Sequence, residues 1–405
     1  MIKNSPQDKK ELFKRQALDL HESSGGKIAT SIKVPVRSLE DLALAYSPGV
    51  AEPCRQIANC PADAFRYTNK SNTVAVISDG SAVLGLGNIG PLAGLPVMEG
   101  KALLFKHFAG LDAVPLCLDV GSPQELIDIC CALAPNYGGM NLEDIAAPNC
   151  VIVERELQQR LSIPVFHDDQ HGTAIVCAAA MLNAAKLTAR KFENMRVVIS
   201  GMGSAGTAIA RLLKKMKVGS IFAYDAEGPL LAARNFVQEE LFAEQVLDVP
   251  PVADGLTALL QGADAFIGVS ASGLLRREMI AGMAADPIIL AMANPDPEIM
   301  PAEALAAGAA VVGTGRMDYP NQINNVLAFP GVFRGALEAQ KIRAPQGLPT
   351  RITEKMKTEA VRALADVLGE DELSTDCILP SPMDPRVVKQ VSRAVYEACQ
   401  ESQEF

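Results

Sequence analysis

The chain reads as an α/β protein, an N-terminal α/β domain followed by a doubly wound parallel-sheet domain, with C-terminal helices returning to the first domain. Three observations predict this. Short apolar runs of strand type alternate with helical patterns along most of the chain, which implies mostly parallel sheets. One run, residues 195–200, enters Gly201-Met202-Gly203-Ser204-Ala205-Gly206 and then a helix over 207–217. The chain has 405 residues, 49% hydrophobic and 21% charged, enough for two or three domains with proper cores.

Residues 10–20 read as a helix, and 39–45 as another that ends at Tyr46-Ser47-Pro48-Gly49. A strand over 73–78 leads into the glycine-dense stretch 79–94. A helix of small and apolar residues starts near Pro96 and carries Lys101, Leu104 and Phe105. A buried strand over 113–119, a helix over 123–134, and strands over 150–153 and 163–166 complete the first unit. The second unit restarts at 195–200, with later strands over 220–224, 265–269, 288–293 and 310–313. From about 352 the pattern is helical, interrupted by the proline-rich stretch 378–386. The implied units are 1–163, 164–350 and 351–405.

Composition excludes several classes. The net charge is −10, and no basic run is dense enough to hold a nucleic-acid backbone. No stretch reaches the roughly 18–20 apolar residues that span a bilayer, and residues 1–10 are polar without an apolar signal core. Nine cysteines, an odd number without metal-ligand or disulfide spacing, imply a reduced, cytoplasmic protein.

A lone GxGxxG is weak evidence, but here a strand precedes it, a helix follows it and an acid ends the next strand. Gly201 permits the tight turn, Gly203 lets backbone approach a pyrophosphate, and Gly206 lets helix and strand pack closely. The helix N-terminus at Ser204-Ala205 offers amides and partial positive charge to phosphates. Asp225, about 20 residues on, is placed to accept from ribose hydroxyls. Ala226-Glu227-Gly228 follow, so Asp225 and Glu227 would repel a 2′-phosphate, and NAD is favoured over NADP. Arg234 and Lys217 are the cations that would offset that preference. Gly85-Leu86-Gly87-Asn88-Ile89-Gly90 also matches the pattern but lacks the acid, and reads as tight backbone packing near a substrate.

Phe166-His167-Asp168-Asp169-Gln170-His171-Gly172-Thr173-Ala174 places two acids at the end of an apolar run and the start of a helix. One reading is a helix cap. The other joins Asp168-Asp169 with Glu143-Asp144 around a cation, and oxygen ligands of this kind suit Mg²⁺ or Mn²⁺ rather than Zn²⁺. Solvated helix-start acids remain the plain alternative for Glu143-Asp144.

Tyr46-Ser47-Pro48-Gly49-Val50-Ala51, the 84–90 glycine string, Met98-Glu99-Gly100-Lys101, Leu142-Glu143-Asp144, the 166–174 string, Ala293-Asn294-Pro295 and the 318–325 string resemble the bacterial malic enzymes in order and spacing. The resemblance runs from about residue 10 to residue 400. It implies a substrate domain and a Rossmann NAD(P)-binding domain, and a metal-dependent oxidative decarboxylation of L-malate to pyruvate and CO₂ with reduction of NAD(P). It implies Glu143, Asp144 and Asp169 as metal ligands, Lys101 as general base and Tyr46 as the acid toward the enol carbon. A lysine partly desolvated near a divalent cation would have its pKa drawn toward neutrality. Asp168 would orient Lys101 or the metal shell. Asn294 and Asn325 match amides that hold substrate carboxylate and nicotinamide-side groups, and Asn324, adjacent to Asn325, is taken with them as a substrate contact. The family also implies a homodimer or higher homo-oligomer.

Larger eukaryotic members carry an arginine after the position of Asp79-Gly80, where this chain has Ser81-Ala82-Val83. That leaves open which groups hold the malate carboxylates. Two other functions fit the same residues: malolactic conversion with bound NAD, and a catalytically silent dinucleotide-binding regulator.

Overall fold

The computed structural model describes residues 6–83, 85–250 and 255–401, so Leu84 of the first glycine string lies outside them. The first sheet holds β1 (Thr73–Ser78), β2 (Asp112–Cys117), β3 (Gly139–Leu142) and β4 (Val165–His167) in the order β2-β1-β3-β4, all parallel, and so runs past the boundary expected at residue 163. The second holds β5 (Arg196–Ser200), β6 (Ser220–Asp225), β7 (Gly228–Pro229), β8 (Ala265–Gly268), β9 (Ile288–Ala291) and β10 (Val311–Thr314). Their order is β10-β9-β8-β5-β6-β7, parallel except for the β6–β7 hairpin. The order reverses between β5 and β8, and ligands of open α/β sheets bind in the crevice outside that point.

Side chains alternate across each strand, so each sheet feeds two cores. Ala75 and Ile77 pack outward with Met140 and Leu142, whereas Val74 and Val76 face inward. The inward core is continuous across both units. It takes in the helices Thr173–Leu187, Phe329–Arg343, Glu354–Ala365 and Pro385–Glu401. Phe105, Phe166, Phe329 and Phe333 form its aromatic centre, with edge-on ring contacts at 4.7, 5.3 and 5.9 Å. Gly331 and Gly335 let Phe329–Arg343 press against Pro385–Glu401: a Cβ on Gly335 would lie 2.3 Å from the Ser392 carbonyl oxygen. The C-terminal helices reach the first unit on Gly90–Ala109, with most of their packing on Phe329–Arg343 and Thr173–Leu187.

Two elements differ from the sequence reading. Residues 150–153, expected as a strand, begin the helix Asn149–Arg160, and the missing strand is β3. The β-branched run Val151-Ile152-Val153 favours a strand locally. Cys150, Val153, Glu154 and Leu157 recur at helical spacing and form the buried face, so tertiary packing overrides that preference. β3 carries little strand signal because its glycine answers a packing need: a Cβ on Gly139 would lie 3.1 Å from the Phe333 ring. The helix expected to start near Pro96 starts instead at Gly90, with Pro91 in its first turn and Pro96 inside it. Pro96 removes one intrahelical donor, that of the Leu92 carbonyl, and Leu92 lies on the exposed side.

The N-terminal helices stand apart from these cores. Leu39–Ala45 and Ala51–Asn59 bury no residue, and Ile32, Leu39, Leu44 and Tyr46 are largely exposed. Among the described residues no helix is long and apolar enough to cross a membrane.

Candidate active site

Because the first sheet is parallel, its strand ends deliver their next residues to one edge. Glu143-Asp144 follow β3 and Asp168-Asp169 follow β4. Asp144 takes a left-handed conformation, φ 55°, which aspartate tolerates better than most residues. Residues Asp168–Gly172 form one wide π-type turn that runs into Thr173–Leu187. Neither start of that helix carries a side-chain cap, which corrects the capping alternative. The Asp169 carboxylate turns back and accepts from the Asp144 amide at 2.8 Å.

Lys101 projects from Gly90–Ala109 into this edge and is buried. Its Nζ lies 2.6 Å from Asp168 Oδ2 and 2.8 Å from Glu143 Oε1, and 4.3 Å from the centre of the Phe329 ring. Asn141 donates to the other Glu143 oxygen at 2.8 Å. Asp168 Oδ1 is buried without a hydrogen-bond partner.

Burial and crowding set the charges. Burial raises the Glu143 carboxyl to about 7 against the pull of Lys101, with Asp169 adding to the rise. Burial raises Asp168 and Asp169 as well, again against Lys101. Burial lowers His167 to about 4. Lys101 departs from expectation. Burial alone would draw it down, but Asp168, Glu143 and Asp169 outweigh burial and hold it above the ordinary lysine range. The ammonium is the centre of an ion cluster in the protein alone.

Four carboxylates thus share one edge with one ammonium. Among the described residues, no three His, Cys, Asp or Glu side chains close on a point as a finished metal cage. The donor set nevertheless suits a hard divalent cation: carboxylate oxygens only, negative charge in excess, and one buried carboxylate oxygen unmatched.

A cleft of about 340 Å³ runs from this edge to the second sheet. It gathers Asp144 and Asp169 with Asn294, Asn324, Asn325, Ser204 and Ala205. Asn324 caps its own short turn through Oδ1, accepting from Val326 N at 3.0 Å, and Asn294 donates to the Met292 carbonyl at 3.2 Å. Tyr46 does not join them. It is 69% exposed, lines no part of the cleft and has no hydrogen bond to Lys101, which with Glu143 and Asp168 is buried and also absent from the cleft lining.

The dinucleotide motif sits at the switch point. A second cleft of about 400 Å³ is lined by Gly201, Gly203, Asp225 and Ser270, and Val269 and Ser270 line both clefts. Gly201 has φ +98°, and a Cβ there would lie 2.6 Å from the Val269 carbonyl oxygen. A Cβ on Gly206 would fall 1.8 Å from the Gly201 carbonyl oxygen, so the turn closes only without side chains. A Cβ on Gly203 would meet no protein atom, leaving that backbone open to a ligand. Arg234 is occupied: it donates to the Glu227 and Pro229 carbonyls at 3.4 and 3.1 Å and lies 3.5 Å from the Glu227 carboxylate.

Several cleft residues escaped the sequence reading, among them Thr173, Val269, Ser270 and Met292. The rule that ligands sit beyond strand C-termini pointed to Val269 and Ser270, which follow β8 directly. Glu154 had no local signal. It accepts from the His167 amide at 2.9 Å and from His171 at 2.8 Å, and so holds the turn that carries both acids.

The geometry has counterparts in known proteins. Residues 25–158 match the family model for the malic enzyme N-terminal domain, and residues 170–401 that for the malic enzyme NAD binding domain. The chain is 51% identical to the bifunctional malic/malolactic enzyme of Bacillus subtilis, over 96% of this chain and 94% of that one. It is 46% identical to an NADP-dependent malic enzyme of Halomonas elongata, over 96% and 94% respectively. The solved NAD-dependent malic enzyme of Thermotoga maritima superposes with a TM-score of 0.88 at 44% identity, covering 94% of this chain and 98% of that one. With both family models matched in order and the acidic edge facing the dinucleotide cleft, the chain belongs to the malic enzyme family.

Proposed function

We propose that this protein catalyses the oxidative decarboxylation of L-malate to pyruvate and CO₂ with reduction of NAD, using Mg²⁺ or Mn²⁺. The observation that carries the proposal is the cleft that holds Asp144 and Asp169 against Asn294, Asn324, Asn325 and the Ser204-Ala205 helix start. Glu143, Asp144 and Asp169 would hold the cation. When bound, the cation supplies a Lewis acid for the keto and carboxylate oxygens, and NAD supplies the hydride acceptor.

The chain's own groups do the rest. Lys101 Nζ, an ammonium in the protein alone, passes one proton to the Asp168 carboxylate 2.6 Å away, whose burial favours the neutral acid. As the free amine it takes the C2 hydroxyl proton, with Asp168 and Glu143 fixing where that nitrogen sits. Asn294, Asn324 and Asn325 orient substrate and nicotinamide-side groups. The cleft wall formed by Val269, Met292 and Ile323 limits water around the reacting carbons. Tyr46 delivers a proton to the enol carbon. Since it lies outside its own cleft, it acts in the cleft of a second copy, and the protein works as a homodimer or higher homo-oligomer. The exposed apolar residues around it, Ile32, Leu39 and Leu44, support that assembly. NAD is preferred because Asp225 lines the adenosine side of the cleft and Arg234 is held by the Glu227–Pro229 turn. All nine cysteines are free thiols, in keeping with a cytoplasmic setting.

The test is a steady-state comparison of NAD and NADP with malate and Mn²⁺, following reduced nicotinamide and pyruvate together. Equimolar NADH and pyruvate are expected. A second reading, malolactic conversion, is favoured by the name of the Bacillus relative. Lactate without net nicotinamide reduction would establish it and overturn the first. A strong NADP preference would overturn the roles given to Asp225 and Arg234.

A further inference from the structure

One buried carboxylate ties together the loops that line both clefts. Glu298 is fully buried. Its Oε1 accepts from the Ser270 amide at 2.9 Å and the Ser270 hydroxyl at 3.3 Å, and its Oε2 accepts from the Ala293 amide at 3.1 Å. Ser270 Oγ lies 2.9 Å from Ser200 Oγ, the last residue of β5 before the glycine turn. The backbone around Glu298 adds two links: Gly273 N donates to the Pro297 carbonyl at 3.1 Å and Leu275 N to the Glu298 carbonyl at 3.0 Å. Space for the carboxylate exists only because residue 268 is glycine, where a Cβ would lie 2.3 Å from Glu298 Cδ. The loops after β8 and β9 are therefore held by one side chain at the switch point, and Ser270 carries the link on to the end of β5.

The linked residues face the ligand. Ser270 lines both clefts, and Ala293 lines the first beside Asn294. A loop anchor elsewhere in the domain would stabilise the fold without reaching a cleft. This one joins residues that line the two clefts.

We propose that Glu298 is a positioning residue for the dinucleotide, holding the β8 and β9 loops at the spacing that NAD requires. The proposal rests on the reading that the clefts bind NAD. A carboxylate offers acceptors at both ends, whereas a glutamine of the same shape turns an NH₂ toward either the Ser270 or the Ala293 amide. Glu298→Gln thus sets donor against donor on one loop while filling the same volume.

The experiment is titration with NADH, followed by nicotinamide fluorescence against a chain that contains no tryptophan, with Mn²⁺ binding measured in parallel by electron paramagnetic resonance. E298Q is expected to bind NADH about tenfold more weakly, the size of one lost charge-assisted hydrogen bond. Its Mn²⁺ affinity should stay within about twofold, because the acidic edge lies on the other sheet. If E298Q fails to fold, Ser270→Ala keeps both amides and removes only the bridging hydroxyl; about threefold weaker NADH binding is expected there. Unchanged NADH affinity in the folded variant overturns the positioning role. Equal losses of NADH and Mn²⁺ affinity also overturn it, since they indicate a general loss of structure. A wild-type protein that binds no NADH overturns the cofactor reading itself, a result distinct from either.

Discussion

Lys101 illustrates how much a single position depends on its neighbours. Its motif and helical context single it out, yet its charge is set by Asp168, Glu143 and Asp169, which lie far along the chain. Lys101→Ala is expected to lower kcat by about 10²–10⁴-fold, the range of a lost general base, with NADH affinity little changed. Unchanged turnover would remove Lys101 from the reaction. Asp169→Ala is expected to abolish metal-dependent turnover and weaken Mn²⁺ binding by at least about tenfold, again with the dinucleotide still bound. Full Mn²⁺ affinity in that variant, measured by electron paramagnetic resonance, would exclude Asp169 as a ligand. The candidate residues were legible from motif order because their chemistry demands particular side chains. The ion cluster they form was not, since no local pattern reports that a carboxylate will sit 2.6 Å from a given ammonium.

The turn Asp168–Gly172 is the element on which the site hangs, and Glu154 is its clamp. Burial would raise the Glu154 carboxyl, but His171 and Lys357 outweigh burial and hold it at about 2. A folded-state value below the unfolded one stabilises the protein above the unfolded value, and that contribution is lost as pH falls through the folded value. Glu154→Gln is therefore expected to cost on the order of 3 kcal/mol near pH 7. The deficit should stay constant down to about pH 5 and shrink in more acid solution, read from urea midpoints of both proteins. A deficit independent of pH throughout would show that the charge on Glu154 does not hold the turn. At this scale the five parallel strands of the second unit and the helix after its glycine turn were readable from their apolar runs, whereas the β7 hairpin and the shorter helices between the strands were not. Residues 150–153 were not, because β-branched residues serve either element and burial on one helical face decided between them.

Across the whole molecule, the continuous inward core joins both sheets, so the two halves of the cleft are carried on one packed body. The N-terminal helices lie outside that body, and Tyr46 with them. If Tyr46 works across a subunit contact, mixing Lys101→Ala with Tyr46→Phe rebuilds one intact site in each mixed dimer. Random reassortment is then expected to restore about a quarter of wild-type activity from two inactive parents. No recovery after verified subunit exchange would place Tyr46 in its own chain's site or outside the reaction. Sedimentation of the unmixed protein as a monomer would contradict the assembly.

The amino-acid sequence alone determined the chemistry available to this protein: the glycine turn with Asp225 beyond it, the paired acids, Lys101, and the alternation that makes parallel sheets. These are local facts, written in residue type and spacing. Tertiary structure alone decided which of them meet. It brought residues 144, 169, 204, 294 and 325 to one cleft, turned Asp169 onto the Asp144 amide instead of a helix end, and left Tyr46 facing outward. It also made Glu298 the common acceptor for two loops. Contacts between residues distant in sequence are fixed by packing and burial, which no short motif encodes.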